Sequence, residues 1–294
     1  MQRVLFNLAP DTDLGERLAT NLGALVGDIE SRHFPDGELY QRVLTPVEGQ
    51  DVVIFADLFH PDGQLFELLS LGHTLEELGA TRRTLVTPYL PYMRQDKRFH
   101  SGESVTSRHF ARHLSQAFDQ LITVDPHLHR YNSLDEIYQL EGIVVSAKSA
   151  ITAHLKQLKE KLLLIGPDEE SEQWVAAIAK ETNVPFQILA KQRSGDYEVE
   201  VSRPQLAPFA DHRPVLVDDI ISSGRTMLET LAHLKESGLS RPLIIGVHGI
   251  FAGDAYQLLM QEAEVLTCNS IPHPSNAVDL LDTLTTACLG ALES

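Results

Sequence analysis

Short apolar runs alternate with amphipathic helical segments along almost the whole chain. The apolar runs are rich in Val, Ile and Leu, and we interpret them as strands. These predicted strands are Val4–Leu8, Asp51–Ala56, Thr84–Thr87, Gln120–Val124, Lys161–Ile165, Pro185–Leu189, Pro214–Val217 and Leu243–Val247. The predicted helices between them include Leu65–Leu78, Val105–Phe118, Ala150–Leu158, Glu172–Glu181 and Thr226–Ser237. This alternation indicates an α/β fold with mainly parallel sheets flanked by helices.

The alternation continues through two successive halves. With 294 residues, the chain is long enough for two domains of ordinary size. The pattern predicts one α/β domain over residues 1–145 and a second over residues 146–294, without a low-complexity linker between them. Two similar halves of this kind would be a duplication.

The charge balance limits the possible partners. The chain has 24 Lys and Arg against 41 Asp and Glu, a formal net charge of −17 and a pI near 5.1. The electrostatic field of so negative a protein repels polyanions, so we expect no nucleic-acid partner. No apolar run approaches the ~20 residues of a membrane span, and the N-terminus lacks a signal-peptide core, so we expect a cytoplasmic protein without a membrane partner. Cys268 and Cys288 lack metal-ligand spacing, and we interpret them as buried thiols.

The most informative local segment is Val217–Met227. The predicted strand Pro214–Val217 ends in two adjacent carboxylates, Asp218 and Asp219, and a small turn then leads into a helix. Backbone N–H groups and the helix dipole at such a turn can bind a phosphate. The predicted phosphate-binding residues are Ser222, Ser223, Gly224, Arg225 and Thr226. Because the carboxylates can accept hydrogen bonds from sugar hydroxyls at the end of the strand, the segment favours a phosphorylated sugar over an ordinary solvated turn.

A cationic segment follows the third predicted strand. Arg94, Lys97 and Arg98 lie on a loop stiffened by prolines, at a strand end where α/β sheets bind ligands. The three cations can engage phosphates. Gln95 and Asp96 lie between them and can read a base or ribose edge. A charge run is usually a solvated surface, but three cations within five residues of an acidic chain favour a binding role.

A short aromatic turn lies near the N-terminus. Phe34 offers an aromatic face, and Asp36 and Glu38 offer carboxylates on either side of Gly37. This combination can stack on adenine and accept hydrogen bonds from its amino group. Pro-Asp-Gly is also a common turn sequence, so the pattern alone does not separate the two interpretations.

Two further pairs of residues suit the chemistry of phosphates. His127 and Asp168 each follow a predicted strand and together can hold Mg²⁺, with waters and phosphates as its other ligands; a lone histidine is more often structural. Lys191 and Arg193 precede a glycine turn and can neutralise charge on a transferring phosphoryl group. The alternative for this pair is an exposed hairpin without a catalytic role.

Taken in order, these segments resemble the ribose-phosphate pyrophosphokinase family, also called the phosphoribosyl pyrophosphate synthetases. Val217–Met227 looks like the phosphoribosyl-binding loop of the type I phosphoribosyltransferase fold. The matching residues are Phe34, Asp36, Gly37 and Glu38, then Arg94–Lys97, Asp125 and His127, Pro167 and Asp168, Lys191 and Arg193, Val217–Asp219, and His248–Gly253. The resemblance spans nearly the whole chain. The short length and the Ile271-Pro272-His273 tail look closer to the compact, archaeal-like members than to the longer bacterial and animal ones.

The resemblance implies two tandem phosphoribosyltransferase-like domains and the conversion of Mg-ATP and ribose 5-phosphate into phosphoribosyl pyrophosphate and AMP. It implies catalysis by Lys191 and Arg193 and metal binding by His127 and Asp168. The implied ATP-binding residues are Phe34, Asp36, Glu38, Arg94, Gln95, Asp96 and Lys97, and the implied ribose 5-phosphate residues are Asp218, Asp219 and Ser222 through Thr226. It also implies a homodimer or larger homo-oligomer with shared active sites.

Two rival functions keep part of this pattern. A base phosphoribosyltransferase needs the sugar loop but not the ATP elements or the Lys-x-Arg loop. A catalytically inactive regulatory homologue would lose loop cations or metal ligands, and none is lost here. The chain departs from the family in two places. It has Ser222-Ser223-Gly224-Arg225-Thr226 where many members have Asp-Thr-Gly-Gly-Thr, and Glu169-Glu170-Ser171 where many have small glycine-rich residues. The second departure puts phosphate-dependent allosteric control in doubt.

Overall fold

The structure is a computed structural model that describes residues 3–128, 130–166, 171–189, 191–194, 198–201, 206–236 and 239–293. Within 191–194 and 198–201 only the backbone is described. The chain divides into two compact units. Met1–Ser146 and Leu281–Ser294 form the first unit, and Ala147–Leu280 forms the second.

The first unit contains eight strands and four α-helices among its described residues. Its strands are β1 (Arg3–Asn7), β2 (Leu25–Val26), β3 (Ile29–His33), β4 (Leu39–Val43), β5 (Asp51–Phe55), β6 (Arg82–Val86), β7 (Gln120–Val124) and β8 (Glu141–Val145). Its helices are α1 (Leu14–Leu22), α2 (Leu65–Glu77), α3 (Thr106–Ala117) and, from the end of the chain, α8 (Leu281–Glu293).

The second unit also contains eight strands among its described residues. Its strands are β9 (Leu162–Gly166), β10 (Phe186–Ile188), β11 (Lys191–Ser194), β12 (Glu198–Val201), β13 (Arg213–Ile221), β14 (Leu243–Gly249), β15 (Glu264–Cys268) and β16 (Asn276–Val278). Its helices are α4 (Lys148–Leu155), α5 (Glu172–Thr182), α6 (Arg225–Lys235) and α7 (Ala255–Glu262).

Both units have the same sheet topology. The six-stranded sheets have the orders β2-β1-β5-β6-β7-β8 and β10-β9-β13-β14-β15-β16, and every pairing within them is parallel. In each unit an antiparallel hairpin, β3–β4 or β11–β12, is inserted between the second and third strands of the sheet. The matching orders and matching insertions support a duplication.

The central strands are apolar at successive positions because helices cover both faces of a parallel sheet. Val52, Val53 and Ile54 in β5 are fully buried, as are Leu163 and Leu164 in β9. In the first unit, α2 and α3 contribute Leu68, Leu71, Leu75, Phe110 and Leu114 to the core. In the second, α6 and α7 contribute Met227, Leu231, Leu234 and Leu259.

The α/β fold class predicted from the sequence is therefore confirmed. The last helix, however, groups with the first unit, whereas the predicted second domain, 146–294, included it. Helix α8 packs against α1, where Asn21 Nδ2 donates to Thr285 Oγ1 over 3.2 Å, and Arg82 Nη1 donates to the Ala291 carbonyl over 2.5 Å. These contacts join residues far apart in sequence, so local periodicity does not reveal them.

Two smaller expectations concern burial and membranes. Cys268 and Cys288 are both buried, as predicted, and burial raises the pKa of Cys288 to about 12. Across the part of the chain that the structure describes, no helix combines the length and the apolar character needed to cross a bilayer.

Candidate active site

The second sheet reverses its strand order between β9 and β13. In open α/β sheets, the carboxyl ends of the strands at such a reversal form the usual ligand crevice. Strand β13 ends there and carries the two predicted sugar-binding carboxylates. The sequence-based end of this strand at Val217 is wrong, because β13 continues to Ile221 and stays in register with β14 as far as the pair Ile221 and Gly249.

Asp218 and Asp219 are half-buried, and each is held by the backbone that follows it. The Asp219 N–H donates to Asp218 Oδ1 over 3.0 Å, and the Ile220 N–H donates to Asp219 Oδ1 over 2.7 Å. These bonds restrict the rotamers of both carboxylates at the end of the strand. A carboxylate has about four lone-pair sites, so these backbone contacts are compatible with hydrogen bonds from a sugar as well.

The predicted phosphate loop follows directly and begins α6. Gly224 has φ +70° and precedes the first residue of the helix, Arg225. A side chain at position 224 would be strained at this φ, and its Cβ would lie 3.1 Å from Leu259 Cδ1. The first turn of α6 carries no acidic side chain, so its N-terminal N–H groups and dipole suit an anion.

The loop side chains differ in exposure. Ser223 and Arg225 are exposed, whereas Ser222 and Thr226 are half-buried. The structure therefore brings together, within one unit, all seven residues predicted to bind the phosphorylated sugar: Asp218, Asp219, Ser222, Ser223, Gly224, Arg225 and Thr226.

In the first unit, the cationic segment lies between β6 and α3. Arg94 is exposed, and Gln95 is tied to the start of the helix. Thr106 Oγ1 donates to Gln95 Oε1 over 2.9 Å, and the Ser107 N–H donates to the Gln95 carbonyl over 3.4 Å. The helix thus fixes the loop, with Arg94 at its surface.

Asp96 is buried and paired. Its side chain is only 8% exposed, and Arg130 Nε donates to its Oδ1 over 3.2 Å. The Tyr131 hydroxyl donates to the Asp96 carbonyl over 3.2 Å. Sequence reasoning missed Arg130 and Tyr131, since they follow β7 and no local pattern links them to Asp96.

Lys97 and Arg98 lie on the exposed part of the same loop. Lys97 Nζ lies 5.2 Å from the centroid of the Phe99 ring, and Arg98 Nε donates to the Glu103 carbonyl over 2.9 Å. The Glu103 carboxylate accepts from the N–H groups of Phe99 and His100 over 2.7 and 2.9 Å. Glu103, which sequence reasoning did not select, therefore closes the loop on itself.

The aromatic turn caps the β3–β4 hairpin. The Phe34 N–H donates to the Glu38 carbonyl, and the Gly37 N–H donates to the Phe34 carbonyl, each over 2.8 Å. Gly37 has φ +90°, a conformation that favours glycine. Phe34, Asp36 and Glu38 are all exposed, and the Phe34 ring is 40% exposed. An exposed ring beside two exposed carboxylates is available to a ligand.

Two neighbours support the Phe34 ring. The Arg32 guanidinium carbon lies 4.9 Å from the Phe34 ring centroid and 4.2 Å from that of Tyr40. The Phe34 and Tyr40 rings meet edge to face with centroids 5.9 Å apart. These contacts hold an exposed aromatic side chain in a defined position.

The remaining predicted residues are only partly described. His127 is half-buried in the segment after β7. Asp168 lies outside the described residues. Lys191 and Arg193 belong to β11, opposite Val201 and Val199, and their side chains are not described. Among the described residues, no group of three or more His, Cys, Asp or Glu side chains is arranged to hold a metal ion.

The parallel sheets, the inserted hairpins and the acidic strand end followed by a phosphate-type loop define a protein of the phosphoribosyltransferase class. Residues 133–280 match the family model described as the phosphoribosyl transferase domain, and residues 3–117 match the N-terminal domain of ribose phosphate pyrophosphokinase. The chain therefore belongs to the ribose phosphate pyrophosphokinase family.

Relatives of similar length agree with this assignment. The ribose-phosphate pyrophosphokinase of Methanopyrus kandleri is 31% identical over 271 residues, which cover 91% of this chain and 92% of the relative. That of Sulfurisphaera tokodaii is 27% identical over 274 residues, covering 92% and 93% of the two chains. The predicted resemblance to the compact archaeal members is confirmed.

A solved structure supports the fold. The crystal structure of phosphoribosylpyrophosphate synthetase from Mycobacterium smegmatis superposes with a TM-score of 0.84 at 24% identity, covering all of this chain and 99% of the other. Similarity at this level of identity shows that the two proteins share the tandem α/β architecture.

Proposed function

We propose that the protein is a ribose-phosphate diphosphokinase. In this reaction the anomeric hydroxyl of ribose 5-phosphate attacks the β-phosphorus of Mg-ATP, and the bond from that phosphorus to the α,β-bridging oxygen breaks. AMP leaves with the bridging oxygen, the hydroxyl releases its proton, and the product is phosphoribosyl pyrophosphate. The sugar half of the proposal rests on Asp218 and Asp219 near the end of β13, a few residues before the glycine-initiated helix α6. The ATP half, which separates this function from that of a base phosphoribosyltransferase, rests on the match of residues 3–117 to the N-terminal domain of ribose phosphate pyrophosphokinase.

Ribose 5-phosphate binds in the second unit in this proposal. The 5-phosphate accepts hydrogen bonds from the backbone of Ser222–Thr226, where the α6 dipole favours negative charge. Asp218 and Asp219 accept hydrogen bonds from the ribose hydroxyls. Their contacts with the backbone restrict the rotamers of both carboxylates before the sugar binds. Arg225, exposed at the first position of α6, adds positive charge beside the phosphate.

ATP binds through the exposed groups of the first unit. Adenine stacks on Phe34, while Asp36 and Glu38 accept from its amino group. Arg94 and Lys97 are exposed and suit phosphates, and Gln95 suits a polar edge of the nucleotide. Asp96 contributes mainly by holding the loop through Arg130.

Lys191 and Arg193 are the proposed catalytic residues. In phosphoryl transfer the protein acts mainly by positioning the reactants and by stabilising charge on the phosphoryl group and the leaving group. Two cations on the β11–β12 hairpin, which forms a two-stranded sheet separate from the six-stranded one, can supply that stabilisation. Their assignment rests on the Lys-x-Arg match to the family.

Mg²⁺ enters as part of the Mg-ATP substrate. It takes oxygen ligands in octahedral geometry, usually one or two from protein and the rest from waters and phosphates. Asp168, a carboxylate, would supply an oxygen ligand of this kind. His127, a nitrogen donor, is the proposed second contact, and its assignment rests on the match of Asp125 and His127 to the family. The ion would neutralise phosphate charge when bound.

The proposal also covers assembly, domains and location. We expect a homodimer or larger homo-oligomer with shared active sites, in which the Phe34 turn serves a neighbouring subunit. The ATP elements belong to the first unit, and the sugar and catalytic loops belong to the second unit. The expected compartment is the cytoplasm.

The deciding experiment is AMP release from Mg-ATP with and without ribose 5-phosphate, with detection of the sugar product. We expect equal amounts of AMP and phosphoribosyl pyrophosphate, and none with ribose, which lacks the phosphate for the Ser222–Thr226 loop. A base phosphoribosyltransferase would instead consume phosphoribosyl pyrophosphate with a nucleobase and release pyrophosphate. An inactive homologue would catalyse neither reaction, and either result would overturn the proposal.

A further inference from the structure

The phosphate loop is tied to the segment that follows the neighbouring strand β14. The Ile221 carbonyl accepts hydrogen bonds from the N–H groups of Ile250 and Phe251, each over 3.0 Å. The next carbonyl, that of Ser222, accepts from the Ala252 N–H over 3.1 Å. The backbone that enters the loop is therefore fixed from one side by residues 250–252.

Phe251, the central residue of this support, has an uncommon backbone conformation. Its φ is +46°, in the left-handed region that aromatic side chains rarely adopt. Such a conformation costs free energy and persists only where surrounding contacts enforce it. The hydrogen bond from Phe251 to Ile221 provides one of these contacts, and the packing of the Phe251 ring provides the other.

The Phe251 ring belongs to a ring cluster with Tyr256 and His273. The Phe251 centroid lies 5.0 Å from that of Tyr256 and 4.6 Å from that of His273, and the Tyr256 and His273 centroids are 4.6 Å apart at a right angle. Phe251 is only 9% exposed. Its ring also lies over Gly249, where an added Cβ would be 2.5 Å from Phe251 Cε2. Gly249 is the register partner of Ile221.

The His273 ring is itself held in place. The Ser275 N–H donates to His273 Nδ1 over 3.2 Å, and the His273 N–H donates to Asn276 Oδ1 over 2.9 Å. His273 Nδ1 also lies 2.8 Å from Ser275 Oγ, so Ser275 contacts this nitrogen through both its backbone and its hydroxyl. The segment between β15 and β16 thus holds the His273 end of the ring cluster in place.

We propose that Phe251, Tyr256 and His273 are positioning residues for the ribose 5-phosphate loop. The inference rests on the proposed function of that loop. The ring cluster holds Phe251 in its left-handed conformation, and residues 250–252 then set the carbonyls of Ile221 and Ser222. This fixes the direction of the loop N–H groups that follow, without direct contact between the rings and the substrate.

The test compares Phe251→Leu and Tyr256→Leu with the control Phe209→Leu. Phe209 lies in the same unit and also packs against a histidine, His212, with centroids 5.3 Å apart, but it is not part of the ring cluster. We expect the KM for ribose 5-phosphate and its dissociation constant by calorimetry to rise about tenfold in both cluster variants, since small displacements of binding groups are costly. The KM for ATP should stay within about twofold of the wild-type value. The conservative variant Phe251→Tyr, which keeps an aromatic ring at this position, should bind ribose 5-phosphate nearly as well as the wild type.

Two results would overturn the inference. One is unchanged ribose 5-phosphate binding in folded Phe251→Leu and Tyr256→Leu proteins, and the other is an equal effect in Phe209→Leu at a similar melting temperature. If Phe251→Leu does not fold, Tyr256→Leu at the half-buried position decides alone. Failure of the proposed function gives a different result, because the wild-type protein would then release no AMP in response to ribose 5-phosphate.

Discussion

Arg130 Nε donates to Asp96 Oδ1 over 3.2 Å, and this contact ties the cationic loop after β6 to the segment after β7. Asp96 is 8% exposed, whereas the Arg130 side chain is 50% exposed. The pair therefore consists of a buried carboxylate and an accessible guanidinium group. Its role is to hold the loop that presents Arg94 and Lys97.

The first prediction concerns this pair. Arg130→Ala leaves a buried carboxylate without its partner, and a charge in that state is destabilising. We expect the KM for ATP to rise several-fold while the KM for ribose 5-phosphate does not change. Adding Asp96→Asn should recover part of the loss, because it removes the unpaired charge. Steady-state kinetics on both variants, with Arg112→Ala on the exposed side of α3 as the control, checks the prediction; equal effects on both substrates would contradict it.

The second prediction concerns the aromatic turn. Phe34→Ala should raise the KM for ATP by about tenfold or more, since an aromatic pair contributes ~0.5–1.5 kcal/mol beyond the area it buries. The KM for ribose 5-phosphate should change little. Phe66→Ala is the control, because Phe66 is 72% exposed in the same unit and lies outside the predicted site.

The same variant tests whether active sites are shared between subunits. Mixed oligomers of Phe34→Ala and Lys191→Ala chains should regain part of the activity, because some sites would receive both wild-type residues. Activity after co-expression and tandem-tag purification is the measurement. A confirmed mixed oligomer that stays inactive would show that each site is built within one chain.

Much of the fold could be predicted because its signals are local. Strand β7 has the predicted bounds, Gln120–Val124, since its five residues form a buried run that ends at Asp125-Pro126. Helix α1 was missed, although Leu14, Leu18 and Leu22 have helical spacing and are buried. Strand β13 continues past Val217 because pairing with β14 outweighs the polarity of two aspartates, and that competition is not visible locally.

The candidate site could be predicted only in part, for a similar reason. The loop at Asp218–Thr226 is contiguous in sequence, so strand, turn and helix patterns were enough to find it. The support of that loop by Phe251 and His273 depends on which strands are neighbours, and the partner of Asp96 lies 34 residues away. Sequence patterns therefore predict candidate ligand-binding groups more readily than the residues that would position those groups.

The third prediction concerns the two carboxylates at the end of β13. Asp218→Asn and Asp219→Asn keep an oxygen for the neighbouring backbone N–H but remove the charge and one acceptor. We expect weaker binding of ribose 5-phosphate, with a KM about tenfold higher or more, and nearly unchanged ATP binding. Asp254→Asn, an exposed carboxylate in the same unit, is the control. Unaltered affinity and turnover in both variants would remove these residues from the sugar site.

The fourth prediction concerns pH and the ring cluster. Burial lowers the pKa of His273 below its usual value of 6.5. The folded state therefore favours the neutral ring, and below about pH 6.5 the unfolded state binds the proton more readily. Stability from this group is complete above that pH and is lost as the pH falls through the lowered pKa. Urea unfolding at several pH values should show a smaller loss in His273→Gln than in wild type; parallel losses would contradict the assignment.

The last prediction concerns the β11–β12 hairpin. Lys191→Ala and Arg193→Ala should each lower turnover by orders of magnitude while ATP binding stays nearly intact. The reason is that a cation placed where charge develops stabilises the transition state more than the ground state, and such a cation can contribute roughly 10³-fold in phosphoryl transfer. The alternative is an exposed hairpin without a catalytic role, for which both changes should be small. Gln192→Ala, between the two in the same strand, is the matched control and should keep near-normal turnover. Single-turnover kinetics together with equilibrium ATP binding separates the two cases. A loss below about tenfold in both variants would mean that the hairpin is not catalytic, and charge stabilisation would then have to come from Arg94, Lys97 and Arg98.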